Sequence, residues 1–148
     1  MTVNGYTITG NNYFFLNYYQ LKNSRVDKAG TARKNIFPRF MVCQYEFFHY
    51  FELCKHLRRN ICMMKSRAVG FSEILASICA NEYSCFKNSI TMITAFDAGK
   101  LGKKKEKVWG ALTFLNDKTD GGFFKLRQVS DTALLKRASY YKYVNRQK

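Results

Sequence analysis

Apolar side chains recur at helical spacing in three stretches of the chain, residues 42–58, 71–86 and 97–115. In the first stretch the apolar positions lie one, four and seven residues apart, which places them on one face of a helix. Asp97 opens the third stretch and is suited to cap a helix, because its carboxylate accepts hydrogen bonds from the first backbone amides. The pattern therefore predicts three amphipathic helices. Their apolar faces consist of Phe47, Phe48, Phe51 and Cys54, of Phe71, Ile74, Leu75, Ile78 and Cys79, and of Leu101, Val108, Trp109, Leu112 and Leu115.

Two short apolar runs, residues 60–65 and 89–95, alternate with these helices. Apolar runs of this length between polar or turn residues are typical of buried β-strands. Strands that alternate with helices form βαβ units, so the expected fold is α/β, with a parallel sheet and flanking helices. Residues 123–126, after a glycine pair, are a weaker strand candidate.

The first 37 residues have a different character. Residues 3–21 are rich in aromatic and β-branched side chains and contain a Gly-Asn-Asn turn candidate at 10–12, so they are expected to form a short hairpin or an extended arm. Residues 22–37 are polar and basic and are expected to form a loop. We therefore divide the chain into an aromatic arm with a basic loop, residues 1–37, and a main domain, residues 38–148.

The charge of the chain narrows the range of partners. Its 25 lysine and arginine residues against 10 aspartate and glutamate residues give a formal net charge of +15. Such a chain attracts polyanions, so nucleic acid or nucleotide is the expected partner, although solubility alone also explains the charge. Neither a signal peptide nor an apolar run of the roughly 20 residues that span a bilayer is recognisable. The five cysteines form no CxxC pair, so zinc binding is not expected.

The segment from Lys65 to Glu73, KSRAVGFSE, connects a predicted strand to a predicted helix. Phosphate-binding loops occupy this position, because the start of a helix presents unpaired amides and a positive partial charge. The segment departs from the usual GxxxxGK[ST] pattern. Gly70 and Ser72 match the last glycine and the hydroxyl position, whereas Phe71 stands where the lysine is expected.

The chemistry of a phosphate loop is nevertheless available in this segment. Gly70 provides backbone freedom, Ser72 provides a hydroxyl for Mg²⁺, and Lys65 and Arg67 provide positive charge. We predict that the amides of residues 67–72 converge on an anion, and that Phe71 turns towards the apolar layer beside Ile74 and Leu75. An ordinary strand-to-helix turn with basic residues facing water remains an alternative on spacing alone.

KSRAVGFSE resembles the deviant Walker A motif of terminase large subunits, the ATP-driven DNA-packaging motors of tailed phages. The resemblance implies that Lys65 is the displaced Walker lysine and that Ser72 lies on the Mg²⁺ side. Three further segments are similar to that family in the same order: residues 4–23, 44–54 and 127–141. The nucleotide-contacting residues implied by the resemblance are Lys65, Ser66, Arg67, Ala68, Val69, Gly70, Phe71 and Ser72.

The same resemblance implies the N-terminal part of a P-loop NTPase-type ATPase domain, with a parallel sheet that is incomplete before Walker B. It implies ATP and Mg²⁺ as cofactors and Gln44 as an adenine contact. It also implies double-stranded DNA, a portal protein, a small terminase subunit and copies of itself in a ring as partners, no membrane partner, and the cytoplasm of an infected bacterium as the location. No apolar run after Phe124 ends in an acidic residue, so the Walker B strand and catalytic glutamate are not assigned. We therefore expect no ATP turnover by this chain alone.

The third predicted helix is rich in lysine, which suits contact with DNA phosphates. A lysine-rich face is also commonly just a solvated face. Two rivals to the motor fragment remain, a small basic nucleic-acid-binding module without nucleotide chemistry and an inactive gene remnant. The geometry around Gly70 discriminates between them, because a wide anion-holding loop favours the ATPase. The candidate DNA contacts are Lys100, Lys103, Lys104, Lys105 and Lys107.

Overall fold

The computed structural model describes residues 1–21, 35–66, 69–119, 128–132 and 135–138. Within these ranges the protein consists of four helices and two small antiparallel hairpins. In chain order the elements are β1 (Thr2–Val3), β2 (Tyr6–Thr7), α1 (Gly10–Tyr18), α2 (Val42–His56), α3 (Phe71–Cys85), α4 (Ala98–Lys118), β3 (Gln128–Asp131) and β4 (Lys136–Ala138).

The three helices predicted from apolar spacing are confirmed as α2, α3 and α4. Asp97 caps α4 as expected, since its Oδ1 accepts a hydrogen bond of 2.7 Å from the backbone amide of Lys100. The prediction for residues 3–21 holds only for the small hairpin of β1 and β2. Beyond it, the Gly-Asn-Asn sequence starts α1 rather than a turn.

The predicted parallel α/β sheet is wrong. Residues 60–65 and 89–95, expected as its strands, form neither a strand nor a helix and pair with no strand in the described part of the chain. Both hairpins are antiparallel, with Thr2 opposite Thr7 in the first and Asp131 opposite Lys136 in the second. A strand is stabilised by a hydrogen-bonded neighbour, and an apolar run carries no information about that neighbour. The candidate strand at 123–126 lies outside the described residues.

The helices bury their apolar faces against one another. α3 packs against both α1 and α4, and α1 also packs against α2. Aromatic rings fill the contact between α1 and α2, where the Phe15 and Phe48 ring centroids lie 5.6 Å apart. The aliphatic face of α3, with Ile74 fully buried, meets Val108 and Leu112 of α4. The helices therefore share one core, which also includes Tyr19 just after α1.

A short polar network crosses this core. Asn81 on α3 donates a buried hydrogen bond of 2.8 Å from its side-chain amide to the side-chain oxygen of Asn11 on α1. Asn11 in turn donates to the carboxylate of Glu52 on α2. Buried amides are costly unless they are paired, so this network ties three helices together at defined positions.

Large apolar side chains are in solvent on or beside the two segments that were expected as strands. Met64 is 98% exposed, Ile90 93%, Met92 82% and Phe96 97%. Single exposed apolar residues are ordinary in proteins, but three of these lie on two segments that join neither hairpin sheet, and Phe96 directly follows the second segment. None of the described helices is long and apolar enough to cross a membrane.

Candidate anion-binding site

Gly70 sets the geometry at the start of α3. It is the N-cap of that helix and has a left-handed backbone, with φ of 74° and ψ of 15°. This conformation costs other residues about 1–2 kcal/mol, which explains the glycine. A Cβ at this position would lie 3.4 Å from the side-chain nitrogen of Gln44, so the loop also passes close to α2.

The left-handed turn aims the first amides of α3 out of the helix. The amides of Glu73 and Ile74 donate to the Gly70 carbonyl over 2.9 and 3.2 Å. The amides of Phe71 and Ser72 come before them, where a helix offers no internal carbonyl. With the helix dipole, these two amides form a positive pole that suits an anion. The exposed side chain of Ser72 lies at the same end.

Gln44 supports the loop from the side. Its buried side-chain amide donates a hydrogen bond of 3.1 Å to the backbone carbonyl of Val69. The structure thus brings the predicted adenine-contacting residue to the loop, 25 positions away in sequence. In this arrangement the Gln44 side chain binds the backbone of the loop, and a contact with adenine stays a prediction.

Lys65 and Ser66 are both exposed before the turn. The Lys65 ammonium donates a hydrogen bond of 3.2 Å to the Ser66 carbonyl, so this cation folds back along its own loop. Arg67 and Ala68 lie outside the described residues. The predicted convergence of the amides of residues 67–72 on an anion stays a prediction.

Phe71 does not face the loop. Its ring packs edge-on against Phe47 of α2, with ring centroids 5.1 Å apart, and contacts the apolar core. The predicted orientation of Phe71 towards the apolar layer is confirmed. Leu75 is exposed and takes no part in that layer. The position that holds a lysine in the GxxxxGK[ST] pattern therefore holds an aromatic ring that serves packing.

A cluster that the sequence did not reveal lies beneath this site. The Tyr19 hydroxyl donates a hydrogen bond of 2.6 Å to one oxygen of the Glu73 carboxylate. The ammonium of Lys107 on α4 pairs with the other oxygen at 2.5 Å. Burial and the hydrogen bond to Glu73 raise the pKa of Tyr19 far above its ordinary value. An acidic residue in the first turn of a helix was the visible signal, but its partners are remote in sequence.

The five candidate lysines of α4 do not all lie on one face of the helix. Spacings of three, four and seven residues place Lys100, Lys103, Lys104 and Lys107 on one face of the helix. Lys100 pairs with Asp97 at 3.4 Å, and Lys107 is bonded to Glu73. Lys105 lies outside this face and lines a cavity. The five candidate DNA contacts are thus separated into a face of four and one residue elsewhere.

The described residues do not by themselves provide a Mg²⁺ site. They contain no cluster of three or more histidine, cysteine, aspartate or glutamate side chains. Ser72 offers one hydroxyl, and Glu73 beside it already bonds Tyr19 and Lys107. Mg²⁺ prefers six oxygen ligands, so a metal ion here would depend on oxygens from a bound phosphate group and water.

Comparisons with protein-family models, with curated proteins and with solved structures give no match to this chain.

Raised pKa values predict weakening of the fold in alkali. Burial raises the pKa of the Cys79 thiol from 9.0 to about 11, and that of Tyr19 above its ordinary 10.0. Each group binds its proton more tightly when folded, so its stabilising contribution is complete below its unfolded pKa and is lost as pH rises towards its folded pKa. We expect the free energy of unfolding to fall above about pH 9. Urea titrations from pH 7 to 11 measure this. Cys79→Val should flatten the profile between pH 9 and 11, and an unchanged profile would contradict the assignment.

Proposed function

We propose that the start of α3 and the loop before it bind the phosphate groups of a nucleotide, and that the nucleotide is ATP. The observation that carries the proposal is the left-handed Gly70 N-cap, held against Gln44, with the amides of Phe71 and Ser72 facing out of the helix. Gly70 has no side chain that could accept these amides, and no side-chain cap hydrogen bond is present at this end of α3.

Charge around this turn favours an anion. Glu73 is the acidic residue of the first turn of α3, and its carboxylate is compensated by Lys107 and by the hydroxyl of Tyr19. An approaching phosphate therefore meets little repulsion. Lys65 lies just before the loop, with a flexible side chain that can exchange the Ser66 carbonyl for a phosphate oxygen.

The more specific proposal is that the chain is the ATP-binding part of a terminase large subunit. The resemblance of KSRAVGFSE and of three further segments supports it. In that setting DNA, a portal protein, a small terminase subunit and neighbouring copies would be the partners, and an infected bacterial cell the location. Hydrolysis needs an acid to organise the metal and another to position water, and neither is assigned here. We therefore propose binding without turnover.

A matched pair of alanine substitutions tests the site. Gly70→Ala introduces a Cβ into a left-handed backbone and should lower the free energy of unfolding by about 1–2 kcal/mol while weakening ATP binding. Gly110→Ala adds the same group in open space within α4 and should stabilise the fold by about 0.5–1 kcal/mol, with ATP binding unchanged. Urea unfolding gives the stabilities. Calorimetric titration with ATP and with inorganic triphosphate gives the affinities.

The binding site is located by backbone amide NMR. We expect ATP and triphosphate to shift the signals of Gly70, Phe71 and Ser72 most strongly, and Lys65→Ala to reduce the affinity for both. Shifts confined to α4, or equal binding by wild type and Gly70→Ala, would overturn the proposal. Mg²⁺-dependent phosphate release that disappears in Lys65→Ala would instead contradict the expectation that the chain does not turn over ATP.

A second candidate function, binding of a nucleic acid along α4, is favoured by one observation. Lys107 belongs to the four-lysine face of α4 and contacts Glu73 at the start of α3. The face is therefore continuous with the positive end of α3, and a polyphosphate backbone can follow both.

Salt dependence measures the contribution of this face. Lys103→Gln with Lys104→Gln should reduce the slope of log affinity for duplex DNA against log salt by about 2, because each phosphate contact contributes about 1. Lys118→Gln, an exposed lysine at the end of the same helix, is the control and should leave the slope nearly unchanged. Equal slopes for the double variant and the wild type would exclude this face as the DNA contact.

A further inference from the structure

A cavity lies at the end of α3 opposite to Gly70. It is enclosed by the last two turns of α3, the segment of residues 86–93 that follows them, one face of α4 and the residues around β4. Its volume is about 480 Å³, which is within the roughly 300–1,000 Å³ of small-molecule sites. The loop before α3 contributes no residue to it. The cavity is thus separate from the proposed nucleotide site.

One wall of the cavity is apolar. Leu101, Val108 and Leu112 line it from α4, and Ile93 lines it from the segment after α3. Cys79 also lines it, and burial raises the pKa of this thiol to about 11, so the thiol is uncharged at neutral pH. This wall suits a hydrocarbon chain or a flat ring.

The rim of the cavity is positive. Lys105, Lys136 and Arg137 line it, and no aspartate or glutamate is among its lining residues in the described part of the chain. The Lys136 ammonium lies 5.2 Å from the centre of the Trp109 ring. Cationic side chains that line an apolar cavity provide a site for one anionic group.

A polar group inside the cavity adds to this arrangement. Ser84 lines the cavity, and its buried hydroxyl oxygen has no hydrogen-bond partner among the residues that the structure describes. Buried hydroxyls are normally paired, so this group is available to a bound molecule.

We propose that this cavity binds an amphipathic anion, with the apolar body of the molecule against Val108, Leu112 and Trp109 and its anionic group at Lys136 and Arg137. An acyl carboxylate and an aryl carboxylate share this chemistry. The proposal does not depend on the proposed nucleotide site.

Trp109 makes the site directly observable. It is the single tryptophan of the chain, so tryptophan fluorescence reports on this cavity alone. Titration of the full chain with octanoate and with 4-phenylbutyrate should change the fluorescence saturably. The carboxylate that binds more tightly shows whether the cavity prefers an alkyl chain or an aromatic ring. Octanol lacks the charge and so forms no charge-assisted hydrogen bond with the cations of the rim. It should bind at least about tenfold more weakly, which corresponds to about 1.4 kcal/mol.

Two sets of variants test the apolar wall and the rim separately. Ile93→Phe should fill the cavity and reduce the affinity for octanoate about tenfold, whereas Met92→Phe, on the outward-facing neighbour, should leave it unchanged. Lys136→Gln with Arg137→Gln should weaken octanoate but not octanol. Circular dichroism verifies that each variant is folded.

Three results would overturn the proposal. One is the absence of saturable fluorescence and calorimetric responses to both carboxylates. Another is octanol binding as tightly as octanoate, which would show a merely apolar surface. The third is an equal loss of affinity in Met92→Phe and Ile93→Phe. The rim variants keep the test decisive should Ile93→Phe fail to fold.

Discussion

Phe48→Ala is expected to lower the free energy of unfolding by about 3–5 kcal/mol. Phe48 is 2% exposed, and its ring lies 5.6 Å from that of Phe15 and 5.9 Å from that of Phe47. Alanine removes the ring that joins α1 to α2 and leaves a cavity that the rigid neighbours cannot fill. The total free energy of unfolding of a small domain is about 5–15 kcal/mol, so this one change removes a large part of the stability.

Urea unfolding followed by far-ultraviolet circular dichroism measures this loss. Tyr50→Ala is the control, because it removes an exposed aromatic ring from the same helix and should cost less than about 1 kcal/mol. Equal losses for the two variants would show that the contact between α1 and α2 contributes little. Phe48→Ala should also reduce ATP affinity, since Gln44, one turn earlier on α2, holds the loop before α3.

Concentration-dependent self-association is the second large effect that we expect. Met64, Ile90, Met92 and Phe96 are largely in solvent, on or directly beside segments that join neither of the two hairpin sheets. Burying one such side chain contributes about 1.5–3 kcal/mol, so four contribute roughly 6–12 kcal/mol. This matches the roughly 4–15 kcal/mol that association costs in lost freedom. The free energy gained by burial and the cost of association are nearly equal, so a few substitutions should abolish the association.

Sedimentation velocity over a range of protein concentrations tests this. Met64→Lys combined with Met92→Lys should shift the distribution to monomer, because charge on an extended edge opposes pairing. Leu57→Lys, an exposed apolar residue at the end of α2, is the matched control and should leave association unchanged. A wild-type chain that stays monomeric at high concentration would refute the expectation.

The helices were predictable because apolar spacing reports burial along a single element. Residues 42–58, 71–86 and 97–115 carried that information locally. Strand pairing is not local, and residues 60–65 and 89–95 therefore suggested a parallel sheet that the described residues do not form. The prediction for residues 10–18 was wrong for another reason, since their aromatic composition favours strands. Burial of Phe14 and Phe15 against α2 and α3 outweighs that preference.

The candidate site divides in the same way. The turn at Gly70 and the orientation of Phe71 could be predicted from the sequence. A left-handed backbone favours glycine, and an apolar ring is most stable when it is buried in the core. The bond between Tyr19 and Glu73 did not, since it spans 54 positions and depends on how α1 packs against α3. Segment spacing contains no information about such tertiary neighbours.

The bond between Asn11 and Asn81 determines how α1 docks. Aromatic rings tolerate a sliding or rotating helix, because apolar contacts have little directionality. A hydrogen bond between two buried amides fixes one position, since a shift would leave the Asn81 amide and the Asn11 side-chain oxygen without each other. Tyr19 directly follows α1, so the same setting delivers its hydroxyl to Glu73. The N-terminal end of the chain thus helps to position the first turn of α3, although it is far in sequence from the loop before that helix.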